Sequence, residues 1–160
     1  MNEQGPGALA RCCVRLATPA DARELAQMSR IYVEHGLGWR YTEARMRAAI
    51  AHRATNVAVA HEDSQIVGFG MMEYGEARAH LTLLAVHRYR QRRGIGTAIV
   101  RWLEDAARTA GLDVVRVEAR ADNAAAHAFY LKLGYVEKEL LVGHYAKQED
   151  AVRFEKRLGS

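Results

Sequence analysis

The 160 residues include only two prolines, Pro6 and Pro19, and two cysteines, Cys12 and Cys13. The cysteines are neighbours, and a disulfide between adjacent residues strains the backbone. No disulfide framework exists, which points to a reducing compartment and a cytoplasmic protein. No segment approaches the roughly 20 apolar residues of a membrane span. The stretch before Arg11 has no apolar run longer than Ala8–Ala10, too short for a signal-peptide core. No membrane partner is expected. Repeats, low-complexity tracts and Pro/Gly-rich linkers are missing as well, so the expectation is a disordered stretch over 1–11 and a single domain over 12–160. No metal is expected.

What is present fits an ordinary folded chain. Hydrophobic residues make up 49% and charged residues 26%, near the globular average of about 25% charged, and this length closes a real core. The net charge is +4, yet the only dense basic run is Arg88, Arg90, Arg92 and Arg93 around Tyr89 and Gln91. A nucleic-acid surface needs a wider basic face with interleaved aromatics, so no nucleic-acid partner is expected. A short cluster suits the phosphates of a small nucleotide, or a solvated loop.

The periodicities give an element order. An alternating run over 13–17 reads as a strand. Thr18-Pro19-Ala20-Asp21 reads as a helix start, with Thr18 as cap, Pro19 in the first turn and Asp21 at the positive end. Gly36 and Gly38 end that helix in an adjustable connection. Thr42 and Glu43 open a second helix. Residues 56–61 and 65–74 read as a hairpin, and 79–86 as a strand covered on both faces. Residues 94–110 are the clearest helix, with Ile95, Ala98, Ile99, Trp102, Leu103 and Ala106 on one face and Gly111 at its end. A strand over 113–119, a helix from Asp122 or Asn123 to Leu133, and closing strands over 135–141 and 151–158 complete the chain. The long helix crosses between the strands at 79–86 and 113–119, which should therefore be parallel. The class is α+β, in three layers, with a mixed sheet.

The stretch from Val86 to Thr97 carries the chemistry. A buried strand runs through Gln91-Arg92-Arg93-Gly94-Ile95-Gly96-Thr97 into a helix. The first N–H groups of a helix lack intrahelical partners, and the helix dipole makes that end partly positive. Two glycines allow close backbone approach, and Arg92 and Arg93 add charge. Together they make a pyrophosphate cradle. The third Gly of a dinucleotide fingerprint and the Gly-Lys-Ser/Thr of a P-loop are both missing. The structural alternative is that Gly94 and Gly96 serve tight strand–helix packing.

Gln91-x-x-Gly94-x-Gly96 resembles the coenzyme A signature of the GNAT superfamily, Gln/Arg-x-x-Gly-x-Gly/Ala. Val86-His87-Arg88 stands where that family often has Val-x-Pro. A second family signature follows as Asn123-Ala124-Ala125-Ala126, Phe129-Tyr130 and Leu133-Gly134-Tyr135. The resemblance implies the acyl-CoA N-acyltransferase fold, a mixed, mostly antiparallel sheet of about seven strands flanked by four helices. It implies acetyl-CoA as cosubstrate and an amine as acceptor. The loop from Gln91 through Arg92, Arg93, Gly94, Ile95 and Gly96 to Thr97 would hold the pyrophosphate. The strand at Leu84, Ala85 and Val86 would meet the pantetheine arm where it splays from residues 113–119. Asn123 and Ala126 would line the same arm, and Tyr130 would protonate the leaving thiolate, a role open to a hydroxyl of pKa about 10.

Acetyl transfer also needs a neutral amine, hence a base. Glu118 is the foremost candidate, and Glu118-Ala119-Arg120-Ala121-Asp122-Asn123 with Tyr130 is similar to the RimI-type branch, whose members acetylate protein N-termini. Glu73 and His80 are alternatives, His80 having the better intrinsic range for a base. The structural alternative for Glu118 is an ion pair with Arg116 or Arg120. Glu34, Trp39, Tyr41, Glu73, His80 and Tyr145 are candidates for the acceptor side. The acceptor is an amine, either a peptide or protein N-terminus or a small molecule such as a polyamine, amino acid or aminoglycoside. A non-catalytic acyl-CoA sensor is the competing class. Exposed closing strands leave room for a homodimer.

Overall fold

The computed structural model describes residues 12–145 and 149–159; the expectation for 1–11 lies outside the described residues. Seven strands form one sheet in the order β1-β2-β3-β4-β5-β7-β6. They are β1 (Cys12–Leu16), β2 (Thr55–Glu62), β3 (Gln65–Tyr74), β4 (Ala79–Val86), β5 (Val114–Arg120), β6 (Val136–Tyr145) and β7 (Glu149–Arg157). Only β4 and β5 are parallel; every other pairing is antiparallel. The helices are α1 (Ala22–Met28), α2 (Glu43–Ala51), α3 (Ile95–Thr109) and α4 (Ala124–Lys132). The element order is the one that periodicity predicts.

Alternation along the strands divides the core in two. Val57, Val59, Phe69, Met71, Leu83 and Ala85 face α1 and α2, where they meet Leu25 and Met46. Ala58, Ala60, Leu81, Val115, Val117 and Phe154 face the other way, onto Ile95, Ile99 and Leu103 of α3 and Tyr130 of α4. A sheet with helices on both faces makes three layers. The α3 helix sits close to β3 because Gly68 and Gly70 present no side chain to it. A Cβ on Gly70 would stand 2.8 Å from Ile99 Cγ2 and 3.0 Å from Leu103 Cδ1. Gly70→Ala is therefore expected to destabilise the fold by about 1–3 kcal/mol through overpacking. The denaturant midpoint reads this, and an unchanged midpoint would show that α3 shifts freely.

Two details depart from the pattern. The buried stripe of α3 is Ile95, Ile99, Val100, Leu103, Glu104 and Ala107, rotated from the apolar face the sequence suggests. Glu104 belongs to it because Tyr135 Oη donates to its carboxylate at 2.9 Å and Lys156 Nζ pairs with it at 3.1 Å. A buried carboxylate is tolerated when paired in this way. The first helix also ends early. After α1 the chain winds through a π-turn, Ser29–Val33, so helical hydrogen bonding is over before Gly36.

Candidate active site

The parallel pairing of β4 with β5 is short. It covers Ala79↔Val115, His80↔Arg116 and Leu81↔Val117 and then stops, although β4 continues to Val86 and β5 to Arg120. A bulge sits at the same point. Met72 faces Leu81 and Met71 faces Leu83, so Thr82 is an extra residue in β4, and a bulge bends its strand. The two strands open into a wedge in the middle of the sheet. Backbone groups inside a fold require partners, and past Leu81 the β5-facing edge of β4 has none in β5. A cavity of about 590 Å³ fills the wedge, lined by Leu83, Leu84, Val117 and Ala119 among others.

Beyond β4, a 3-10 turn at Arg88–Arg90 leads to α3. Gln91 Nε2 donates to the Val86 carbonyl at 3.2 Å, which folds the loop back on its strand. Arg92 (φ 65°) and Gly94 (φ 79°) take left-handed conformations, and Gly94 at the N-cap offers no side-chain cap. The first N–H groups of α3 thus end in a curved, uncapped loop. Gly96 has a different task from Gly94. A Cβ there would meet the Phe129 ring at 3.3 Å, so Gly96 lets α3 and α4 pack closely, a helix–helix contact where strand–helix packing was the alternative weighed above. None of Ala85, Val86 or Gln91–Thr97 lines the cavity; Leu84, Asn123, Ala126 and Tyr130 do. The Asn123 carbonyl oxygen caps α4, accepting from the Ala126 N–H at 3.1 Å, which leaves its amide N–H₂ for any other contact.

Glu118 is not a free base. Its Oε2 meets His80 Nε2 at 2.5 Å, and its Oε1 accepts from Arg153 Nε and Nη2 at 3.3 and 3.2 Å. The register puts them together: Glu118 faces Arg153 across β5 and β7, while His80, opposite Arg116, lies one residue before the last pair of β4 with β5. Burial alone raises the Glu118 carboxyl pKa, but hydrogen bonds and charge from His80 and Arg153 outweigh it and hold the pKa below the usual range. An ionised carboxylate only accepts, so His80 donates from Nε2 in this pair. Arg116 and Arg120, the partners considered for Glu118, pair instead with Glu155 and Glu149.

Tyr130 and Tyr145 are two of the four tyrosines that line the same space. Tyr130 is buried among Phe129, Tyr135 and Phe154, and its hydroxyl has no hydrogen-bond partner among the described residues. Burial, then Tyr145, pushes its pKa well above a free tyrosine's. Tyr145 is pushed up to about 12 by burial and then by the Glu118 carboxylate. It reaches the cavity because β6 runs on to Tyr145, past the expected end at Leu141.

The acceptor-side candidates separate. Glu34, Tyr41, Glu73, His80 and Tyr145 line the cavity; Trp39 does not. Its indole N–H donates to the Ala26 carbonyl at 3.2 Å, anchoring the 34–41 loop to α1. Glu34 is buried and holds that loop from within, accepting from Ser29 Oγ and the Arg40 N–H, both at 2.8 Å, and from the Tyr41 N–H. The loop expected to adjust is thus tied down, and Gly36 and Gly38 serve its left-handed turns at φ 77° and 82°. Glu73 accepts from Thr82 Oγ1 at 3.0 Å. Sequence reasoning missed Arg153 and Thr82 and offered Arg120 only as a partner for Glu118; their actual partners are distant in sequence, and no local pattern marks them.

Comparison with known proteins agrees with this architecture. The profile described as the acetyltransferase (GNAT) family matches residues 21–135. An uncharacterised N-acetyltransferase of Methanocaldococcus jannaschii is 35% identical over 97 residues, 59% of this chain and 61% of that protein. The [ribosomal protein bS18]-alanine N-acetyltransferase of Salmonella typhimurium is 33% identical over 93 residues, 56% of this chain and 63% of that protein. The alignments therefore span less than two thirds of either relative. The PaiA N-acetyltransferase of Thermoplasma acidophilum, solved in complex with coenzyme A, superposes with a TM-score of 0.79 at 16% identity, over 91% of this chain and 98% of that one. That likeness concerns the fold.

Proposed function

The chain belongs to the acetyltransferase (GNAT) family, and on that premise we propose that it moves an acetyl group from acetyl-CoA to a primary amine, the α-amine of a peptide or protein N-terminus. The observation that carries the reading is the meeting of the His80–Glu118 pair and Tyr130 in one cavity at the open wedge of β4 and β5.

The residues present fit the donor. The edge of β4 that has no partner in β5, at Leu84, Ala85 and Val86, suits the amide groups of a pantetheine arm, as an extended peptide suits a strand edge. Asn123 has a free amide N–H₂ beside it, and Ala126 keeps that wall low. The uncapped start of α3 (Gly94, Ile95, Gly96 and Thr97) with Arg92 and Arg93 suits a pyrophosphate. When bound, acetyl-CoA supplies a thioester, an acyl group already activated for attack.

The chain's own residues supply proton handling. His80 accepts the amine proton at Nδ1, directly or through a water. Glu118, held ionised, fixes the imidazole through Nε2 and stabilises the imidazolium that forms, the logic of a base oriented by a carboxylate. This moves the base from Glu118, first choice on sequence, to His80. Tyr130, protonated throughout the working range, donates to the departing sulfur.

A polyamine or aminoglycoside acceptor calls for free carboxylates. Glu34 and Glu118 are both engaged within the protein, which leaves Glu73, among the described residues that line the cavity, to greet a polycation. The peptide reading also accords with the alanine N-acetyltransferase among the relatives. The test is free-thiol release from acetyl-CoA across N-terminal peptides, polyamines, amino acids and aminoglycosides, with acetyl-CoA binding measured alongside. Release driven by peptides is expected. Release driven only by polyamines would overturn the acceptor class, and binding with no release for any amine would favour a sensor.

A further inference from the structure

The cavity's acceptor end has two flanks. One is the loop after α1, which contributes Tyr32, Val33, Glu34, His35 and Tyr41; the other is the β6–β7 hairpin, which contributes His144 and Tyr145. They belong to segments far apart in sequence, and one side chain reaches both. Arg120, the last residue of β5, donates from Nη2 to the Val33 carbonyl at 2.9 Å and the His35 carbonyl at 2.6 Å. From Nη1 it donates to Glu149 Oε2 at 2.9 Å, at the start of β7. Its guanidinium also lies 6.0 Å from the Tyr145 ring centre, within cation–π range. Its side chain is only 15% exposed.

We infer that Arg120 is a positioning residue that sets the width of the acceptor end by tying the Val33–His35 loop to the β6–β7 hairpin. The naming of the ligand as an acceptor amine rests on the function proposed above. The guanidinium is suited to the task because its donors point outward in a rigid plane. Two carbonyls on one side and a carboxylate on the other are held at a fixed span. A lysine ammonium is a compact charge on a flexible stem and holds one side at a time. The carbonyls of Val33 and His35 flank Glu34, whose carboxylate already draws in the Arg40 and Tyr41 amides. The loop is thus fixed from within by Glu34 and from across the cavity by Arg120. Small displacements of a bound acceptor are costly in rate, so the span governs which acceptors fit.

The test uses Arg120→Gln, Arg120→Lys and Glu149→Gln in the full chain. Three quantities are read: acceptor KM and kcat with peptides of small and large first residue, acetyl-CoA Kd, and hydrogen exchange of the 34–41 amides. Arg120→Gln is expected to raise acceptor KM roughly tenfold or more and to shrink the kcat/KM ratio between small and large first residues. The 34–41 amides exchange faster, while acetyl-CoA Kd stays within about threefold, since the donor edge of β4 is untouched. Arg120→Lys follows it in part, and Glu149→Gln loosens only the hairpin flank. If Arg120→Gln does not fold, the other two variants carry the measurement. Loop exchange and acceptor selectivity like wild type in the folded variants would overturn the inference. An equal loss of acetyl-CoA affinity would do so too, by showing a general structural role. A wild type that acetylates no amine would sink the proposed function, while the loop exchange would still decide for or against Arg120.

Discussion

Tyr130→Phe lowers kcat by about 10²–10⁴-fold, the usual worth of a positioned proton donor, with acetyl-CoA Kd nearly unchanged. The ring is held by Phe129, Tyr135 and Phe154, whose centroids lie 5.1, 5.6 and 5.9 Å away. Phenylalanine keeps that packing and removes one oxygen, so the variant reports on the proton. The residue lines the cavity, its hydroxyl has no partner among the described residues, and burial keeps it protonated. A departing thiolate leaves more easily when a proton is at hand. Thiol release under saturating acetyl-CoA reads the effect. If kcat is retained, Tyr130 is a core aromatic and nothing more.

His80→Gln lowers kcat/KM for the amine by a similar 10²–10⁴-fold. Glutamine still offers an N–H to Glu118 but has no basic nitrogen, which separates orientation from proton transfer. Glu118→Gln removes the negative charge that orients the imidazole and leaves Arg153 paired only with Glu139; a smaller loss of activity is expected. The pH profile distinguishes the two residues. The folded pKa of Glu118 lies below the usual carboxylate range, whose unfolded reference is about 4.3. Its protonation therefore falls below that range, so an acid limb of kcat/KM that lies above it belongs to a group other than Glu118. The limb persists in Glu118→Gln and disappears from the residual activity of His80→Gln. A wild-type limb within the carboxylate range would return the role of base to a carboxylate. The same shift has a stability consequence with a definite sign. A depressed folded pKa means that Glu118 stabilises the fold fully above about pH 4.3 and that this is lost as pH falls through the lower folded value. Glu118→Gln should flatten that part of the acid-unfolding curve.

Much of this was legible in the chain, for reasons of range. Helix α3 announced itself because Ile95, Ile99 and Leu103 recur at helical spacing, and the layers followed from the strand–helix order. The two signatures are local, strand to loop to helix, so sequence spacing stood in for geometry. The parallel pairing of β4 and β5 followed from the helix between them. Missing from the pattern was everything that depends on which distant residues meet. Glu118 looked like a base because β5 alternation exposes it; the chain does not say that Arg153 of β7 and His80 of β4 converge on it. Trp39 could by sequence line a pocket or anchor its loop to the core, and its indole holds the loop to Ala26. Gly96 was legible as part of a phosphate cradle, but not as the place where α3 makes room for Phe129 of α4.

The sequence by itself thus determined the element order, the three layers, the family signatures and the place of Tyr130 on α4, because hydrophobic period, capping and turn chemistry act over a few residues. The tertiary structure decided where β4 and β5 part, which carboxylates are engaged, and that one guanidinium spans both flanks of the cavity. Those outcomes depend on register and on bulges such as that at Thr82, where one extra residue redirects all that follows it along the strand.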